Sequence, residues 1–244
     1  MTLLCLDCGN TRLKWGLRAD GAWLAQGACA SEDALQLAAQ LPQRPQLTAA
    51  CNVAGAAAAA HIEALANTLA TPLAWFASSA AAGGVRNGYE QPERLGADRW
   101  AALIGARSLC AEAALVVNAG TATTIDLLDA DGFFPGGLIL PGIDLCLHSL
   151  HRRTAGLPLA RGGFRPTPNN TEDAIVSGAI AAHLGAIELM ARRISAPPPA
   201  SPPVCLLSGG AAAQLAAPLA QAAAPLRLRC VENLVLEGLA CIYV

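Results

Sequence analysis

Lysine is all but missing from this chain: Lys14 stands alone among 244 residues, and the other fifteen of the 16 Lys+Arg are arginine. Charge as a whole is scarce, at 14% of positions, and it nearly cancels to a net −2. With no basic run and no polybasic patch, there is no electrostatic footprint for nucleic acid or for an anionic membrane surface. At 54% hydrophobic residues the chain has a large core to bury, which excludes disorder and fits one large domain or two small ones.

Several motifs are missing as well. No Gly-x-x-x-x-Gly-Lys-[Ser/Thr] occurs, and Lys14 follows a leucine, so a P-loop nucleotidase is excluded. No Gly-x-Gly-x-x-Gly follows a strand, which removes the usual dinucleotide fingerprint. Ser108, Ser177 and Ser208 lack a Gly-x-Ser-x-Gly context, so a hydrolase triad has no support. Residues 194–226 carry no charge, yet seven prolines with Gly209 and Gly210 interrupt them and rule out a membrane helix there. Asp7 breaks the first apolar run, and no cationic segment precedes it, which argues against a signal peptide. A cytoplasmic protein without nucleic-acid or membrane partners is expected.

The nine cysteines are odd in number and scattered through apolar segments, as reduced core thiols are. Cys5 and Cys8 have C-x-x-C spacing, but no second pair or nearby histidine completes a zinc set. His148 and His151 lie one helical turn apart with no carboxylate or thiol at ligand spacing, and are read as structural.

Periodicity predicts strands at 2–7, 12–18 and 22–28, a helix at 31–41, a strand at 47–53, a helix at 56–69 and a strand near 72–76. A helix over Gly96–Cys110 bridges to a second half. That half continues with helices at 142–153 and 171–193, a stiff Pro-rich linker at 197–203, a strand at 203–207, a helix at 210–222, a strand at 226–230 and a helix from 233. The chain also repeats itself. Cys5-Leu6-Asp7-Cys8-Gly9-Asn10 has its counterpart in Val116-Val117-Asn118-Ala119-Gly120-Thr121, and the same offset carries Ala19-Asp20-Gly21 onto Ala130-Asp131-Gly132. Two matches at one offset, both between predicted strands, point to an internal duplication with its boundary near 108–113.

Chemistry concentrates at a few turns. In Asp7-Cys8-Gly9-Asn10-Thr11-Arg12-Leu13-Lys14, Gly9 lets the backbone approach a phosphate whose oxygens Asn10, Thr11 and the loop amides can meet. Asp7 at the strand end can hold hydrated Mg²⁺, and Lys14 falls just past the loop. The alternative is an Asx-type hairpin turn with no ligand. Gly120-Thr121-Ala122-Thr123-Thr124 would clamp a polyphosphate from the other side, although its threonines are also ordinary strand formers. Strand-Ser208-Gly209-Gly210-helix is a third Gly-rich element, able to pass under a base or ribose. Gly96-Ala97-Asp98-Arg99 opens a helix with a carboxylate suited to accept a hydroxyl proton and a guanidinium suited to a carboxylate or phosphate. Against that stands Asp98 as a first-turn residue favoured by the helix dipole, with Arg99 on a solvated face.

These motifs, together with Pro135-Gly136-Gly137, Leu140-Pro141-Gly142 and Asn170-Thr171-Glu172-Asp173, resemble type III pantothenate kinase in order and spacing from residue 3 to about 240. The resemblance implies the acetate and sugar kinase/Hsc70/actin superfamily: an α/β chain of two ribonuclease-H-like (actin-like ATPase) lobes, here 1–110 and 111–244, related by internal duplication. It further implies a cytoplasmic homodimer that uses ATP and Mg²⁺ to phosphorylate pantothenate at the entry to coenzyme A synthesis. By this resemblance Asp7, Cys8, Gly9, Asn10, Thr11, Arg12, Leu13 and Lys14 form the first ATP loop, and Thr121 is an ATP contact of the second. Asp98 is the base, while Tyr89, Gly96, Ala97, Asp98, Arg99 and Thr171 line a pantothenate pocket near the homodimer interface. One position departs from the pattern. Asn118 replaces the aspartate that serves the family as a monovalent-cation ligand, so K⁺ or NH₄⁺ dependence is in question here. Two other readings keep the lobes: a kinase of another hydroxyl acceptor, and a non-catalytic nucleotide-binding regulator, against which the retained Asp7, Asp98 and Thr121 speak.

Overall fold

The computed structural model describes residues 1–194, 202–221 and 226–243. Pro197, Pro198 and Pro199 of the expected linker, and residue 222 at the end of the expected helix 210–222, lie outside these. Along the chain run β1 (Thr2–Cys8), β2 (Leu13–Ala19), β3 (Ala22–Cys29), α1 (Leu37–Gln40), β4 (Leu47–Asn52), α2 (Ala56–Leu69) and β5 (Leu73–Trp75). Next come β6 (Ala81–Ala82), β7 (Val85–Asn87), α3 (Ala97–Leu109), β8 (Ala114–Ala119), β9 (Ala122–Leu128), β10 (Phe133–Phe134) and β11 (Gly137–Pro141). The chain continues through α4 (Ile143–Arg153), α5 (Thr171–Ala191), β12 (Val204–Ser208), α6 (Ala212–Ala220), β13 (Arg227–Cys230) and α7 (Leu234–Tyr243). The helix expected at 31–41 is instead a 3₁₀ turn over Ser31–Gln36 that passes into the short α1.

Two five-stranded sheets share one design. The first runs β3-β2-β1-β4-β5 and the second β11-β9-β8-β12-β13. In each, the first strand lies antiparallel to the second and parallel to the fourth, and the fifth is parallel to the fourth. This is the ribonuclease-H-like pattern twice over, and it aligns Asp7 at the end of β1 with Asn118 near the end of β8. The recurrence is imperfect after the hairpin turns. Residues 20–21 lead directly into β3, whereas residues 131–132 lead into β10, which pairs with β7, and β11 then takes the third place in the sheet.

Two compact units result, Met1–Ala111 with Gly132–Phe134 and Asn233–Val244, and Glu112–Asp131 with Pro135–Glu232. They differ from a simple division at 110/111 in two places, and packing supplies the reason. Helix α7 buries Leu234, Leu236, Leu239 and Ala240 within the first unit. Its Gly238 meets the backbone of Ala101 on α3 so closely that a Cβ would collide, and Gly105 of α3 meets the carbonyl of Leu234 in the same way. Glu237 of α7 accepts from Trp23 Nε1 at 2.7 Å and pairs with Arg18 at 3.3 Å, tying the helix to β2 and β3.

In the first unit, strand alternation sorts the site from the core. Leu4, Leu6 and Cys8 of β1, with Leu13, Trp15 and Leu17 of β2, pack against Ile62, Leu65 and Leu69 of α2. The opposite face therefore receives Asp7 and Lys14, which are directly paired across the hairpin. Cys5 and Cys8, three apart in one strand, are sent to opposite faces, and all nine cysteines are free. Among the described residues no group of three or more His, Cys, Asp or Glu side chains could hold a metal. Helix α5 is long and apolar enough to cross a membrane by length and composition, but half of its apolar stretch is buried in the second unit, as in a core helix.

Candidate active site

The turn after β1 is short and open. Gly9 N–H donates to Arg12 O at 3.1 Å, and Asn10, Thr11 and Arg12 are exposed at its tip. Nothing in the fold demands glycine at position 9, since an added Cβ would lie 3.7 Å from Arg12 O, an ordinary contact. What glycine leaves is an uncovered backbone, able to reach an anion's oxygens.

Asp7 stands at the base of this turn, 6% exposed. Lys14 Nζ lies 3.9 Å from its Oδ2, and the Cys51 thiol, brought alongside by the parallel β1–β4 pairing, donates to Oδ1 at 3.5 Å. Burial pushes the Asp7 carboxyl up to about 6; Lys14 opposes the rise, and the negative charge of Asp98 adds to it. Asp7 and Asp98 thus act on one another within the first unit. A buried carboxylate held at this cost, with one distant ammonium partner, is what a hydrated divalent cation would relieve. Burial also drives the Cys51 thiol well above its ordinary range, which makes it a weak donor to Asp7 and no nucleophile.

Asp98 occupies the first turn of α3, half-buried, and its Oδ1 accepts from Arg99 N–H at 2.8 Å. Arg99 is buried, not on a solvated face. Its Nη1 donates to Tyr89 Oη at 2.6 Å, and its guanidinium lies 5.5 Å from the Tyr89 ring centroid and 5.9 Å from that of Phe134. The two rings stack on each other at 5.6 Å. Phe134 reaches this place because β10 pairs with β7, with Gly88 N–H donating to its carbonyl at 2.8 Å. Phe134 had no signal in the sequence, since a two-residue strand shows no periodicity.

The second turn, after β8, closes with Gly120 N–H donating to Ala122 O at 3.0 Å, and Thr121 is exposed there. Gly142 N–H donates to Thr121 O at 2.9 Å, and a side chain at 142 would run into the carbonyls of Gly120 and Thr121. Gly209, in the left-handed region at φ +101°, backs onto Ala119 in the same manner. The Gly-rich elements at 142 and 209 therefore shape this turn. Asn118 is paired with Thr124 as Asp7 is with Lys14, so a neutral pair stands where the first unit has an ion pair.

Of the residues singled out in the sequence, Asp7, Lys14, Tyr89, Gly96, Ala97, Asp98 and Arg99 fall in the first unit; Asn118, Thr121 and Thr171 fall in the second. Thr171 is exposed in the first turn of α5, where Asn170 caps the helix by accepting from Asp173 N–H at 2.9 Å. His148 and His151 spend Nδ1 on the carbonyls of Asp144 and Leu157.

The model of the type III pantothenate kinase family matches residues 3–193. The chain belongs to that family. A type III pantothenate kinase of Aromatoleum aromaticum is 48% identical over 242 residues, spanning 98% of this chain and 97% of the relative. One of Dechloromonas aromatica is 47% identical, spanning 97% of each. Among solved structures, a Sinorhizobium meliloti protein assigned as a 2-dehydro-3-deoxygalactonokinase superposes with a TM-score of 0.60 at 15% identity, covering 98% of this chain and 95% of that one. That likeness shows the fold, that of the sugar kinases and actin-like ATPases. The family membership settles the enzyme class, a kinase.

Proposed function

We propose that this kinase transfers the γ-phosphoryl of ATP to the primary hydroxyl of pantothenate, the first step of coenzyme A biosynthesis, with Asp98 as the base. The observation that carries this is the Asp7–Asp98 pair: two carboxylates within one electrostatic field, one buried beside the phosphate turn and the other at a helix start. Asp98 orients the acceptor hydroxyl and takes its proton as the oxygen attacks in line. Arg99, hydrogen-bonded to Tyr89 and lying near the Tyr89 and Phe134 rings, presents a guanidinium to the acceptor's carboxylate. In the first unit the exposed turn at residues 10–12 and the Lys14 ammonium receive phosphate oxygens. In the second unit the Thr121 hydroxyl is the ATP contact. Asp7 is the residue fitted to hold hydrated Mg²⁺, which when bound supplies charge neutralisation at the phosphates. Purified chain should release ADP with pantothenate and not with a panel of sugars and small acids; release with a sugar alone would favour another acceptor.

Function as a cytoplasmic homodimer belongs to the same reading, and the outer face of α5 supports it. Ala174, Gly178, Ala181, Ala182, Gly185 and Leu189 line that face, all exposed, and nothing lies within 4 Å of a Cβ placed on Gly178 or Gly185. Leu145 and Leu150 of α4 are exposed as well. Small residues in such a row allow two helices to approach closely, and a stable dimer buries more than ~1,000 Å². The unmodified protein should sediment as a dimer at micromolar concentration, and Gly185→Glu should convert it to monomer. A fully active monomer would contradict this.

Asn118 bears on monovalent cations. A carboxylate there would add a full negative charge, whereas the amide offers one neutral carbonyl oxygen. Activation by K⁺ or NH₄⁺ should therefore be weak, and stronger in Asn118→Asp. The check is a rate titration with KCl and NH₄Cl against a bulky organic cation at constant ionic strength; saturable, many-fold activation of the unmodified enzyme would count against it.

A further inference from the structure

We infer that His183, on the inner face of α5, is a positioning residue for the nucleotide, acting on the second turn through Thr123. The inference rests on the reading of Thr121 as an ATP contact. Both side chains are sealed from solvent, His183 at 1% and Thr123 at 0% exposure. His183 Nδ1 lies 2.7 Å from Ala179 O, and Nε2 lies 3.0 Å from Thr123 Oγ1. A carbonyl only accepts, so Nδ1 carries the proton, and in the neutral ring Nε2 accepts from the Thr123 hydroxyl.

Packing alone does not require an imidazole at this point, because the neighbours of His183 on the same face are apolar: Ile180, Ile187 and Met190 are all buried. What does require it is the hydroxyl. Thr123 lies in the sheet between Ala119 of β8 and Leu140 of β11, one residue past the carbonyl of Ala122 that closes the turn. A β-branched side chain is stiff at χ1, and a buried hydroxyl takes the rotamer that meets its acceptor. His183 thereby fixes Thr123, and with it the backbone from which Thr121 projects.

The test compares four single variants and the Thr123→Val/His183→Leu double variant by their Michaelis constants for ATP and for pantothenate, each checked for folding by thermal melting. Thr121→Val probes the turn itself. Thr123→Val and His183→Leu remove the two halves of the buried bond at nearly constant volume, and His183→Gln restores an acceptor oxygen near the place of Nε2. The expected result is a rise of about tenfold in KM for ATP in Thr123→Val and His183→Leu, the scale of one buried hydrogen bond. KM for pantothenate should stay within about twofold, the double variant should be no worse than either single one, and His183→Gln should return toward the unmodified value. If His183→Leu does not fold, Thr123→Val alone decides. A normal KM for ATP in a folded Thr123→Val protein, beside a raised one in Thr121→Val, would overturn the role of His183 and leave the turn's role standing. A normal value in Thr121→Val would overturn the reading of the turn and this inference with it.

Discussion

Asp98→Asn should lower kcat by ~10²-fold or more, the scale of removing a general base, while the protein still folds and still binds both substrates. The side chain is half-buried at a helix start, and the backbone bond it makes, from Arg99 N–H to Oδ1, can be kept by the amide oxygen of asparagine. The amide cannot take the proton. KM for pantothenate should change little, because Arg99 and Tyr89 are untouched, so the loss should appear in kcat. The measurement is steady-state turnover alongside a melting curve. Near-normal turnover by a folded Asp98→Asn protein would remove Asp98 from the base's role and leave the hydroxyl proton to water or to phosphate itself.

Asp7→Asn should stabilise the fold while slowing the reaction as Asp98→Asn does. Burial raises the Asp7 carboxyl to about 6, from a value near ~4 in the unfolded chain. A raised folded value means that the folded state holds the proton more tightly. Asp7 therefore contributes stability below pH ~4 that is lost as the pH rises through about 6. A difference of ~2 units corresponds to a cost of about 3 kcal/mol at neutral pH. Asparagine carries no charge to desolvate, and the Lys14 attraction is already counted in the net rise, so the variant should gain about 3 kcal/mol at pH 7.5, or some ~6–12 °C in Tm. The advantage should vanish by pH ~4, where the native carboxyl is protonated too. Turnover should fall by ~10²-fold, the scale of losing one preorganised electrostatic contact. Melting curves from pH 4 to 8 check the first part; a variant less stable than the unmodified protein at pH 7.5 would show that Asp7 is not held at a cost.

The parts of this site that sequence made legible are those with local grammar. The hairpin at Asp7–Lys14 stands between two strands of alternating burial, and Gly96-Ala97-Asp98-Arg99 begins a helix as its spacing requires. The offset between Asp7 and Asn118 was visible because a duplicated strand and turn repeat in both residue type and place. What escaped depends on long-range pairing. Arg99 has a polar side chain that local rules send to solvent, and only β10, arriving from residues 133–134, brings the Phe134 ring that makes its burial possible. Cys51 reaches Asp7 through parallel pairing over more than 40 residues. His183 sits in the middle of an apolar helix, where sequence offers no sign that a threonine hydroxyl 60 residues earlier will meet it. Helix α7 joins the first unit through its Gly238 and Gly105 of α3, whose purpose shows only once the two helices are placed against each other.

Phosphorus NMR of the purified protein with ATP, Mg²⁺ and pantothenate tests the central claim most directly. The expected result is one new phosphomonoester resonance, on the primary hydroxyl of pantothenate, growing in step with ADP. ATP left intact, or consumed to inorganic phosphate with no ester of pantothenate, would contradict it.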